Sequence, residues 1–124
     1  MKINFDIAQM RSDVERRYNI PLARKIGFQA SGLLSELLAL EDHYILNETI
    51  LDNNWFKATP TFIVKRIGMT EKEQKKAVEV LLKNGFIECN NIGNPSARHF
   101  RMNHEKIIDF MVKLYEEEEN TQGE

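Results

Sequence analysis

The residues of this chain best equipped for chemistry are cations. Lys72, Lys75 and Lys76 cluster in the stretch MTEKEQKKAVEVLLKNGFIE, and Arg98, His99 and Arg101 follow in ARHFRMN. An ammonium or guanidinium group holds a phosphate oxygen by charge and hydrogen bond, without needing a second group at fixed spacing. That is binding chemistry. Catalytic groups do not assemble in the same way. His43, His99, His104 and Cys89 lack the spacing of metal ligands. No P-loop or dinucleotide fingerprint occurs, and Glu116–Glu119 reads as a solvated run without a pocket. The expectation is a protein that is not an enzyme, with no cofactor, no metal and no small-molecule substrate.

Composition sets the frame for those cations. The chain has 124 residues, 42% hydrophobic and 29% charged, with a formal charge of -2, which suits one domain with a modest core. The charge is segregated: net -1 over Met1 to Ala58, +4 over Thr59 to Lys106 and -5 over Ile107 to Glu124. A basic middle segment favours an anionic partner, although solvated faces also scatter charge unevenly. No apolar run approaches the roughly 18 to 20 residues that span a membrane, and MKINFDIAQM lacks the apolar stretch of a secretory signal. The single cysteine fits a reducing cytoplasm.

Periodicity then supplies the elements. Ile7, Met10, Val14 and Tyr18 predict a helix over about Asn4 to Arg17 with a narrow apolar stripe. Pro21 opens a short helix, PLARKIG, that Gly27 stops. Ala30, Leu33, Leu34, Leu37, Leu38, Glu41, Tyr44 and Ile45 mark a long helix against the core, with Glu41 the one polar member. Trp55 to Ala58 reads as a short strand. Thr59-Pro60 starts a helix that carries Phe62, Ile63 and Ile67 inward and ends at Gly68. Thr70-Glu71-Lys72-Glu73 fits a capping box and starts a helix that ends at Asn84-Gly85.

Two strands follow, about Phe86 to Asn90 and Ala97 to Met102, turned at GNPS, with Cys89 packed in the sheet. Asn103 caps a last helix with Ile107, Ile108, Met111, Val112 and Tyr115 on one face. The last eight or nine residues look disordered.

The order predicts a mainly α fold with a small β-hairpin wing: a winged helix-turn-helix with extra N-terminal and C-terminal helices. Residues 1–19 form an arm, 20–115 the winged domain and 116–124 an acidic tail or linker start. In the helix after Thr70, Gln74, Ala77, Val78, Leu81 and Leu82 share the inward face. Lys72, Lys76, Glu79 and Lys83 share the outward one, with Lys75 at its flank and Glu71 four residues before Lys75. Lysines near the start of such a helix meet phosphates, although the same residues equally serve to solubilise an outer face. No Arg or Asn stands in its first two turns to read bases. The wing adds Arg98, His99 and Arg101, with Asn94 and Ser96 in its turn. Lys65, Arg66 and Thr70 complete a basic surface drawn from three elements.

The run KAVEVLLKNGFIE and then GNPSARHFRMNHEKI resembles winged-helix domains of Gram-positive replication proteins. These are DnaD-like amino-terminal domains and phage or plasmid replisome organisers and initiators. The family habits are KAI-x-x-L-x-x-x-G-[LF]-I-E and G-x-P-[AS]-x-R-[HY]-[FY]-x-[IM]-N. Lys76, Ala77, Val78, Leu81, Gly85, Phe86, Ile87 and Glu88 match the first. Gly93, Pro95, Ala97, Arg98, His99, Phe100, Met102 and Asn103 match the second. The resemblance covers about Ile20 to Ile108. It implies double- or single-stranded DNA as ligand, replication initiation or primosome assembly as setting, and self-association.

Two other readings stand beside it. One is a protein-interaction and oligomerisation module in which Ile7, Met10, Val14 and Tyr18 pack against a second copy. The other is a small dimeric transcriptional regulator of the same fold. The chain is expected to be either a stand-alone protein or part of a longer replication protein.

Overall fold

The computed structural model describes residues 19–122, and these form five α-helices and three strands. Helix α1 spans Ile20–Ile26 and α2 Phe28–Leu46. A short 3-10 turn at Asp52–Asn54 leads to β1, Phe56–Lys57. Helices α3, Pro60–Ile67, and α4, Glu71–Lys83, come next, then β2, Ile87–Ile92, β3, Ala97–Met102, and α5, His104–Gln122. No helix among the described residues is long and apolar enough to cross a membrane.

Local chemistry explains the breaks. Asn19 caps α1 by accepting from the Leu22 N–H, and Pro21 stands in the first turn. Gly27, at φ 91°, closes α1 and opens α2, a backbone region that side chains with a Cβ rarely adopt. The expected strand at Trp55–Ala58 narrows to a two-residue ladder, since Trp55 and Ala58 flank it rather than pair as strand residues. The sheet is antiparallel with order β1-β3-β2. Phe56 faces Phe100 on one side, and Ile87 faces Met102 on the other.

The core lies between α2 and this sheet. Leu33, Leu34 and Leu37 of α2 meet Phe56, Ile63, Leu81, Phe86 and Phe100, all fully buried. Fully burying one such side chain stabilises by about 1.5 to 3 kcal/mol. Several expectations change here. Phe62 and Leu82 are exposed, because α3 and α4 each bury a stripe centred on Ile63 and on Ala77–Leu81. Ile45 lies on the exposed side of α2's last turn. Cys89 is exposed rather than packed in the sheet. Helix α5 continues through the acidic run after Tyr115 to Gln122. Glu is a good helix former, and Lys25 of α1 pairs with Glu117 at 3.2 Å.

Candidate nucleic-acid interface

Helix α4 and the turn before it are held by a dense set of caps. Thr59 accepts from the Phe62 N–H at 3.2 Å and starts α3. Gly68 ends it in the left-handed region, at φ 70° and ψ 14°. Met69 and Thr70 complete the turn. The capping box is present in both directions: the Thr70 hydroxyl accepts from the Glu73 N–H at 3.2 Å, and the Glu73 carboxylate accepts from the Thr70 N–H at 3.0 Å. Thr70 is therefore a cap first. The Thr70 backbone N–H, then its hydroxyl and the Gln29 amide, hold the Glu73 carboxyl below its ordinary value.

Gln74 fixes how the two helices meet. It is fully buried, and its Nε2 donates to Met69 O at 2.8 Å and to Pro60 O at 3.1 Å. Its Oε1 accepts from Arg98 Nη2 at 2.8 Å, while Arg98 Nε donates to Ala58 O, also at 2.8 Å. The Arg98 guanidinium carbon stands 4.8 Å from the centre of the Phe100 ring. One amide thus ties the start of α3, the turn and the middle strand together. Desolvation pulls the Arg98 guanidinium below its ordinary pKa, opposed by Cys89 and Glu71, and the group remains charged. Desolvation beside the sheet pushes the Cys89 thiol up, opposed by the Arg98 charge.

This corrects the expected wing. Arg98 lies on the inward face of β3 with Phe100 and Met102, half-buried and fully engaged, instead of pointing out as a free cation. His99 does lie on the outer face but is buried, because β3 is the central strand and Lys57 and Asn90 flank it on both sides. Its Nδ1 donates to Ala97 O at 2.8 Å. Arg101 is half-buried, bonded to Glu88 at 2.7 Å, and covers the Trp55 ring at 5.0 Å. Asn94 is exposed in the hairpin turn.

The lysines are placed differently. Lys72, Lys75, Lys76 and Lys83 of α4 and Lys65 of α3 are all exposed, and among the described residues none has a carboxylate within ion-pair distance. The anticipated Glu71–Lys75 pair is not formed. Glu79 shares their face, so it is mixed in sign but predominantly positive. Lys75, Glu71, Glu79, Val78, Pro60 and Arg98 line a shallow cleft of about 350 Å³ between α4 and the sheet. Lys76 borders a smaller hollow on the side facing the α1–α2 junction. Arg66, by contrast, is bound to Glu36 of α2 at 2.9 Å, beside a roomier groove of about 490 Å³.

The interface expected from sequence thus contracts to lysines. Sequence reasoning placed Gln74 and Glu41 on inward faces but missed Gln74 as a polar hub and the pairing of the buried Glu41 with His104 at the start of α5. A strand period of two would have put Arg98 on the face of Phe100, against its assignment to the wing, but nothing in the sequence indicates its partners. The candidate oligomerisation residues Ile7, Met10, Val14 and Tyr18 lie outside the described residues. No cluster of His, Cys, Asp or Glu able to hold a metal occurs among the described residues. Comparison with family models, with curated proteins and with solved structures finds no match.

Proposed function

We propose that the chain is a DNA-binding module of the winged-helix type, which holds the phosphate backbone with lysines of α4 and makes few base contacts. The order of elements supports it: α2, β1, two helices joined across Gly68-Met69-Thr70, and a β2–β3 hairpin that closes a β1-β3-β2 sheet. The observation that carries the reading is the set of exposed lysines on α4, which have no carboxylate partner among the described residues. Lysine without arginine on that face favours point-charge contacts to phosphate over bidentate reading of guanine. The wing contributes shape and the polar turn at Asn94 more than free charge. The resemblance to replication proteins supports a setting in replication initiation or primosome assembly.

The test is titration of labelled generic duplex and single-stranded DNA with the purified chain at about 50 and 200 mM salt. Binding is expected to weaken steeply with salt. In Lys72→Glu/Lys76→Glu the slope of log affinity against log salt should fall in magnitude by about 1.8 on duplex DNA, about 0.9 for each phosphate no longer neutralised. Equal binding by the variant, or no binding at low salt, overturns the reading.

A further inference from the structure

Helix α4 carries three carboxylates, and two of them have a place in the fold. Glu73 closes the capping box with Thr70. Glu71 stands in the first turn, where the helix dipole favours an anion, and its charge supports the Arg98 guanidinium. Glu79 has neither role. It is exposed and lies well inside the helix. Lys75, Lys76 and Lys83 stand three or four residues away, the spacing at which helical ion pairs form. Among the described residues, however, no cation comes within ion-pair distance of Glu79.

This carboxylate sits within the lysine surface. Lys72, Lys76, Glu79 and Lys83 fall within an arc of about 60° and along a stripe of roughly 16 Å, at 100° and 1.5 Å per residue. The major groove of duplex DNA is about 12 Å wide. A helix set across it brings the ends of such a stripe to the two backbones and the interior to the base edges. A carboxylate there repels phosphate and needs a donor instead. The groove offers the amino groups of cytosine and adenine. Adenine N6 lies between two acceptors, its own N7 and thymine O4, which repel the second oxygen of a carboxylate. Cytosine N4 has one acceptor beside it, guanine O6, and the C5–H edge on its other side.

Given the DNA-binding reading of α4, on which this inference rests, we propose that Glu79 reads the cytosine of one G·C pair, its carboxylate accepting from the N4 amino group. The surroundings suit a base edge. Glu79 borders the cleft of about 350 Å³ together with Lys75, Val78 and Pro60. Val78 and Pro60 give it an apolar rim for the C5–H edge, and Lys75 brings a cation for guanine O6 of the same pair.

The experiment is binding selection from a duplex pool with a randomised centre, read by sequencing, with the parent chain, Glu79→Gln and Glu79→Ala. Gln and Ala are both good helix formers and Glu79 is exposed, so both variants should keep the far-UV circular dichroism of the parent. The parent should enrich a G·C pair at one position by at least about fivefold. Glu79→Gln should move that preference to an A·T pair, since glutamine bonds adenine N6 and N7 together. Glu79→Ala should lose the preference and bind generic duplex at least as tightly as the parent, because a negative charge leaves the lysine face. A parent that enriches no position, or a G·C preference that survives in Glu79→Ala, overturns this inference while salt-dependent binding through the lysines stands. No binding of the parent at low salt overturns both.

Discussion

Replacing Arg98 with methionine separates a fastener from a phosphate contact. The substitution keeps an unbranched chain over Phe100 but removes two donors. Gln74 Oε1, fully buried, and the carbonyl of Ala58, a residue 1% exposed, both lose their partner. An orphaned buried acceptor costs about 1 to 3 kcal/mol, and loss of the cation over the ring adds about 0.5 to 1 kcal/mol. Arg98 is only half-buried, so water can relieve part of this, and the net loss should be about 2.5 kcal/mol. For a domain of this size that lowers the melting temperature by about 10 °C. Lys72→Met, on an exposed unpaired side chain, should stay within about 0.5 kcal/mol of the parent. Urea unfolding followed by far-UV circular dichroism measures both. The reasoning fails if Arg98→Met is as stable as the parent while its DNA affinity falls as far as that of Lys72→Met.

Three further outcomes follow from other contacts. Glu73 has a depressed carboxyl, so its stabilisation is fully present above its unfolded pKa and is lost as pH falls through the folded one. The gap in urea midpoint between the parent and Glu73→Gln should therefore narrow between about pH 6 and pH 3, and a gap that widens in acid refutes it. His104→Ala leaves the buried Glu41 carboxylate without its half-exposed partner and should cost about 1 to 2 kcal/mol, whereas Glu41→Leu/His104→Ala should recover most of that in the same unfolding assay. Ser31 Oγ is buried with no hydrogen-bond partner among the described residues, so Ser31→Ala should leave the urea midpoint unchanged or raise stability by up to about 1 kcal/mol.

Much of the architecture is legible in the sequence. Caps and breakers act within three or four residues, so Thr59-Pro60, Thr70 with Glu73, Gly27 and Gly68 set their boundaries locally, and the helices start and stop there. The hairpin and the long leucine-rich helix follow equally from period. The candidate site was legible only in part. Lys65, Lys72, Lys75 and Lys76 stand exposed on helix faces that a 100° rotation per residue already predicts. Arg98 and His99 do not behave as free cations, because a residue type says nothing about the acceptors that wait for it. Ala58 and Gln74 lie forty and twenty-four residues from Arg98.

By itself the sequence determined the order of the helices from Ile20 onward, the hairpin, and a basic middle segment offset by acidic residues near the end. These depend on near neighbours along the chain and on composition. Only the tertiary structure decided which charges are spent inside. Closing β3 between β1 and β2 buries His99, folds Arg98 onto Gln74, and brings His104 to Glu41 across sixty-three residues. Such pairings arise because a buried donor or acceptor must find a partner in space, and the chain can bring that partner from anywhere along its length. What those pairings leave on the surface is a row of lysines, and the proposed function rests on them.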